Sequence, residues 1–266
     1  GNMYYVDKTK YIEILEQKED FQFFIRPRRF GKRLFLSMLD TYYDVNEKDN
    51  FNKYFSGLYI HNNKTPEANS FMVLKLNFAT IITDQGKETL IDSFDELVCS
   101  SVYKCILKYS HLLEQDKLPI EKNKATYAFD FLITLAELKN QKVLLLIDEY
   151  DNFANNIMSD QRELYNDLMH DSEYIRTFYK TVKKATSTEV LTRIFMTGVS
   201  PITLDELTSG ANMFANITNE EDLNEMLGFT EREVMAMIDY YQMGKSVNRS
   251  DLLKILQIYC NGYKFN

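Results

Sequence analysis

The chain has 266 residues, room for one large α/β domain or for one domain with a small appendage. Its 45% hydrophobic and 26% charged residues are the balance of a globular chain with a sizeable core. A net charge of −8 argues against a general nucleic-acid or membrane-surface protein, and no apolar run is long enough to span a bilayer. Cys99, Cys105 and Cys260 have no zinc-type spacing and no signal peptide opens the chain, so free thiols and a cytoplasmic location are expected.

The first apolar run, 21–25, stops at Arg26-Pro27 and predicts a buried strand. Leu34, Phe35, Met38, Leu39 and Tyr42 then recur at helical spacing, so the segment 26–33 joins a strand to a helix. A second strand is predicted over 71–78, followed by helices over 90–109 and 126–138. The run 143–147 is unbroken Val-Leu-Leu-Leu-Ile and ends in Asp148-Glu149, as in a central parallel strand covered on both faces. A helix over 163–184, a strand over 190–196 ending at Thr197-Gly198, and a short last strand over 214–217 complete the alternation. Beyond it, Thr230 and Glu233 have capping-box spacing ahead of Val234, Met235 and Ile238, and another helix is predicted over 249–259. Strands alternating with helices imply a mostly parallel sheet. The expected division is an α/β domain over 1–217 and a helical appendage over 218–266.

Two segments carry chemistry. In Arg26-Pro27-Arg28-Arg29-Phe30-Gly31-Lys32-Arg33, Gly31-Lys32 match the phosphate-loop pattern of Gly, four residues, Gly-Lys and Ser or Thr, in the required strand-to-helix context. Arg26 stands in place of the first glycine and Arg33 in place of the hydroxyl residue. Backbone N–H groups entering a helix N-terminus form an anion site, and Lys32 can reach outer phosphates as a point charge. The alternatives are a solvated basic loop, or a loop that holds a nucleic-acid backbone. The second segment is the strand end. There Asp148 can hold magnesium through water, and Glu149 can orient and deprotonate an attacking water. Thr197 and Ser200 follow the next strand, where a polar group can sense a terminal phosphate or serve only as a turn residue. Asp151 reads better as a helix cap or surface charge than as a catalytic group. Together these segments predict a three-layer P-loop NTPase fold of the ASCE type, with an extra strand between the two site strands and a glutamate as base.

The order Tyr5-Val6-Asp7-Lys8-Thr9, the 26–32 loop, Ile147-Asp148-Glu149-Tyr150-Asp151 and Thr197-Gly198-Val199-Ser200 resembles the bacterial AAA-ATPase-like family. Leu227-Gly228-Phe229-Thr230 and Asn261-Gly262-Tyr263-Lys264-Phe265 are similar to its later motifs. The resemblance covers nearly the whole chain. It implies ATP as the nucleotide, with Gly31 and Lys32 at the phosphates; the strand-to-helix order itself extends the expected ATP or ADP site to Arg28, Arg29, Phe30 and Arg33, with Thr197 on the next strand end. The resemblance also implies Lys32 and Glu149 as catalytic groups and Asp148 at a magnesium ion. Members often carry a PD-(D/E)XK nuclease-like domain downstream, which would begin about where this chain ends. Arg33 departs from the family's Ser or Thr. A guanidinium has no lone pair for a cation, so slow or lost hydrolysis and little dependence on Mg2+ are expected. The functions left open are an ATPase coupled to a partner or downstream domain, a nucleotide-binding regulatory module that does not hydrolyse, and a nucleic-acid-binding module.

Overall fold

Five parallel strands lie in the order β2-β3-β4-β1-β5, where β1 is Phe21–Ile25, β2 Met72–Asn77, β3 Val143–Asp148, β4 Leu191–Gly198 and β5 Ala215–Asn216. The structure, a computed structural model, describes residues 4–83, 85–116, 124–152, 173–200, 213–241 and 249–260. The helices are α1 (Lys10–Glu16), α2 (Lys32–Tyr43), the short α3 (Phe51–Phe55) and α4 (Tyr59–Asn62), α5 (Lys87–Lys108), its continuation α6 (Ser110–Leu113), and α7 (Ala125–Leu138). Then follow α8 (Glu173–Thr186), α9 (Glu231–Tyr241) and α10 (Arg249–Cys260). The first ten residues of the helix predicted over 163–184, and the 261–265 motif, lie outside the described residues.

Side chains alternate across each strand, and the two sets fill two cores. Leu74, Leu145, Ile147, Ile194 and Met196 pack against α5, α7 and α8. Val73, Leu144, Leu146, Phe195 and Phe24 pack against α1 and α2. All six residues of β3 are buried, which explains why its sequence is apolar without alternation. This is a three-layer α/β P-loop NTPase-like fold with an all-parallel sheet. The extra strand expected between the two site strands is β4, paired with β1 on one side and β3 on the other. Leu223, Met226 and Leu227 also enter the core beneath α1 and α2, so the chain after β5 runs back across that layer before α9 begins.

The edge strand β2 exposes backbone groups that need partners. Phe71 N–H donates to the Tyr43 carbonyl at 3.0 Å, and Val45 N–H donates to the Phe71 carbonyl at 2.9 Å. Val73 N–H donates to the Tyr109 hydroxyl at 2.9 Å, and that hydroxyl donates to Asp44 Oδ1 at 2.9 Å. The Tyr109 ring is fully buried, so water cannot replace it at this edge. Tyr109→Phe removes one acceptor and one donor from buried partners and should cost about 1–3 kcal/mol. Urea denaturation checks this: the midpoint should fall with an unchanged slope, and an unchanged midpoint would refute the role given to the hydroxyl.

Candidate functional site

The loop from β1 to α2 closes on itself. Gly31 caps α2 in a left-handed conformation, φ 89°, which a side chain would strain. Lys32 opens the helix, and its Nζ turns back to donate to the carbonyls of Arg26 at 2.8 Å and Pro27 at 3.0 Å. Lys32 therefore spans the loop it belongs to, leaving Gly31 exposed at the helix N-terminus. Arg28 and Arg29 are exposed, and Arg29 is also left-handed at φ 71°. Arg26, in the place of the usual glycine, is buried over the Phe24 ring and donates from Nη1 to the carbonyls of Ile25 and Thr218. Burial lowers its pKa to about 10, which leaves it charged at neutral pH. Of the basic residues in the loop, Arg26 thus serves the framework, while Arg28, Arg29 and Arg33 stay outside it.

Across the crevice Asp148 ends β3, level with Thr197 of β4, which is level with Phe24 of β1. Leu146 and Phe195 lie in the core under α2, so by alternation Asp148 and Thr197 present their side chains on the same face. The Thr197 hydroxyl is buried and has no hydrogen-bond partner among the described residues, a cost that a ligand acceptor or donor would remove. Glu149 follows in a left-handed conformation, φ 52°, and is half-buried. The next two residues fasten this strand end to the neighbouring one. Tyr150 donates from its hydroxyl to the Ser200 carbonyl at 2.6 Å. Asp151 Oδ2 accepts from the N–H groups of Val199 at 2.9 Å and Ser200 at 2.6 Å. A Cβ on Gly198 would fall 2.6 Å from both Asp151 Oδ1 and the Tyr150 ring, so only glycine fits there. Asp151 is therefore not a surface charge: it is buried and holds the turn after β4.

Charge concentrates here. Burial pulls the Lys32 ammonium down in pKa, opposed by Asp148, Asp151 and Glu149. Burial, then the neighbouring Glu149, pushes the Asp148 carboxyl up, opposed by Arg33 and Lys32. Arg33 lies on this side, its Nε 3.7 Å from Asp148 Oδ2, with most of the side chain in solvent. Asp148 is the group that would hold magnesium beside nucleotide phosphates, and Arg33 brings it no lone pair. No group of three or more His, Cys, Asp or Glu suited to a metal occurs among the described residues, and a guanidinium stands where a ligand hydroxyl belongs. Ser37, one turn further along α2, donates instead to the Arg33 carbonyl at 3.0 Å.

Lys32 thus lies within electrostatic reach of Asp148, Glu149 and Arg28, and Arg33 within reach of Asp148. Lys32, Gly31 and Arg33 lie at the start of α2, with Arg28, Arg29 and Phe30 in the loop before it. Asp148, Glu149 and Thr197 lie at the strand ends opposite. Sequence reasoning missed the fastening residues Tyr150, Asp151 and Gly198. Their signal was present as two polar turns after adjacent apolar strands, but nothing local says that the turns touch.

A family model described as "Predicted AAA-ATPase" matches residues 1–208. The chain is also similar to an "Uncharacterized protein in vnfD 5'region" of Azotobacter chroococcum mcd 1, with 27% identity over 239 residues. That match covers 88% of this chain and 41% of the relative, so the chain spans less than half of the relative's length. Among the described residues, no helix is long and apolar enough to cross a membrane.

An Asp148 carboxyl raised in the folded state makes ionisation costly to the fold. Its contribution favours folding below the unfolded carboxylate value and is lost as pH rises through the raised value. Asp148→Asn should therefore raise the melting temperature at pH 7, and the gain should shrink as pH falls through the carboxylate range. A melting temperature lowered at pH 7 would contradict this balance of charges.

Proposed function

This chain belongs to the predicted AAA-ATPase family, a nucleotide-binding, ATPase-like class, and from that premise we propose that it binds ATP or ADP in the crevice between α2 and the ends of β3 and β4. One observation carries the reading: a glycine-capped helix N-terminus bridged by Lys32 faces Asp148 across a single intervening strand, β4, whose Thr197 hydroxyl has no partner among the described residues. Open parallel sheets collect ligands at the carboxyl ends of their strands. In this reading residues 1–217 carry the nucleotide and 218–266 form a helical appendage.

The phosphates lie against the N–H groups at the start of α2, where the helix dipole favours negative charge. Lys32 exchanges its two loop carbonyls for phosphate oxygens, trading neutral acceptors for charged ones. Thr197 donates its hydroxyl to the terminal phosphate. Glu149 takes the proton of a water attacking the terminal phosphorus, and ADP leaves with the electron pair of the broken bond. Arg33 supplies positive charge where related loops place a divalent cation; its position beside Asp148 favours a module that binds nucleotide tightly and hydrolyses it slowly. Coupling of that occupancy to a partner or a downstream domain follows from the slow turnover, as in other nucleotide-held switches.

Titration calorimetry with ADP and ATP tests the site. Lys32→Ala, checked for folding by circular dichroism, should lose about 1.5–3 kcal/mol of binding free energy, the worth of a charge-assisted contact. Unchanged affinity in that variant would remove the loop from the site. For Arg33 the measurement is affinity with magnesium and with a chelator, beside phosphate release. The unaltered protein should show little difference between the two conditions, and Arg33→Ser should gain magnesium dependence. Strong magnesium dependence with brisk turnover in the unaltered chain would overturn the part given to Arg33.

A further inference from the structure

The motif Tyr5-Val6-Asp7-Lys8-Thr9 lies outside the crevice, yet its lysine is buried. Lys8 Nζ contacts Glu233 Oε1 at 2.6 Å and Oε2 at 2.9 Å, and donates to the Glu225 carbonyl at 2.7 Å. Glu233 is also half of a capping box at the start of α9. Its Oε2 accepts from Thr230 N–H at 2.8 Å, while its own N–H donates to Thr230 Oγ1 at 3.2 Å. Two residues before Thr230, Gly228 N–H donates to the Phe30 carbonyl at 3.1 Å. Gly228 is left-handed, φ 79°, and a Cβ there would lie 3.2 and 3.3 Å from the Phe30 ring. The segment between these contacts is anchored by Met226 and Leu227, both buried under α2.

The consequence for the phosphate loop follows from peptide geometry. The Phe30 carbonyl and the Gly31 N–H belong to one planar trans unit and point in opposite directions. Fixing the carbonyl on Gly228 therefore fixes the Gly31 N–H on the far side, away from the 227–230 segment. That N–H is one of the donors at the start of α2. We propose that Lys8 and Glu233 are positioning residues for the phosphate loop: acting through Thr230 and Gly228, they hold the Phe30–Gly31 peptide in the orientation that an anion needs. The proposal rests on the reading of that loop as the phosphate site. By linkage, whatever tightens the loop on phosphate must equally tighten the Lys8–Glu233 contact. This gives α9 and the N-terminal segment a mechanical tie to occupancy of the crevice. Tyr4 reinforces the tie, with its N–H bonded to the Tyr241 hydroxyl at 2.9 Å and its ring 5.1 Å from that of Tyr240.

Glu233→Gln separates the two roles of that side chain, because glutamine still closes a capping box but carries no charge for Lys8. Hydrogen exchange is measured on the full chain over 26–34 and 226–232, with ADP affinity alongside. Glu233→Gln should speed exchange in both segments by roughly tenfold, and ADP affinity should fall by about fivefold or more. Lys8→Met should do the same and Lys8→Arg should reverse it. Gly228→Ala keeps the ion pair but strains its own left-handed turn and crowds Phe30, and should speed exchange over 26–34 with Lys8 and Glu233 intact. A merely structural ion pair would lower the melting temperature and leave exchange over 26–34 at its original rate, and that result overturns the proposal. If the unaltered chain binds no ADP, the nucleotide reading fails, and exchange over 26–34 still decides whether Lys8 and Glu233 position the loop.

Discussion

The crevice depends on the placement of β4 between β1 and β3. Strands in a sheet are about 4.8 Å apart, so one intervening strand separates the backbone ends of β1 and β3 by roughly 10 Å, a span across which Arg33 Nε comes to 3.7 Å from Asp148 Oδ2. Neighbouring strands would bring Lys32 and Asp148 together as a simple ion pair and close the gap. The parallel register completes the arrangement, because Ile25 is level with Gly198 and Thr197 with Asp148, so all three strands end at the same edge. Every polar group of the site inherits its position from this pairing.

Holding charge at that edge is costly, and the surroundings show how the cost is met. Arg29 and Glu149, one on each lip, adopt left-handed backbone that L-residues favour least, at about 1–2 kcal/mol each. The chain around Glu149 cannot relax because Tyr150 and Asp151 bond the turn after β4, and Gly198 leaves no space between them. The loop around Arg29 is held by Lys32 from within and by Gly228 from outside. Strain that persists between such fixed points preorganises a site, since little rearrangement remains to be made when a ligand arrives.

The departures from the usual phosphate loop fall into two physical kinds. Arg26 replaces a glycine but turns its side chain into the framework, over Phe24 and onto Thr218, so the loop keeps its course while losing flexibility. Arg33 stands where the usual pattern has a hydroxyl residue, and its guanidinium reaches toward Asp148 with most of the side chain in solvent. The first change alters what holds the loop; the second alters the chemistry the loop can support.

Much of this was legible in the sequence. The periodicities at 21–25, 34–42 and 143–147 identified β1, α2 and β3, because burial on one face or on both imprints a local pattern. Gly31-Lys32 and Asp148-Glu149 could be named as candidates for one site from type and order alone, and the capping box of Thr230 and Glu233 was readable from its spacing. Only the tertiary structure decided that Asp151 is a buried acceptor for the next turn, that the Thr197 hydroxyl is buried without a partner among the described residues, and that Lys8 meets Glu233 across 225 positions. The reason is that periodicity records which face of an element is buried, whereas a hydrogen bond between distant turns depends on strand order and register. Those are set by the packing of the whole sheet and leave no trace in any single stretch of chain.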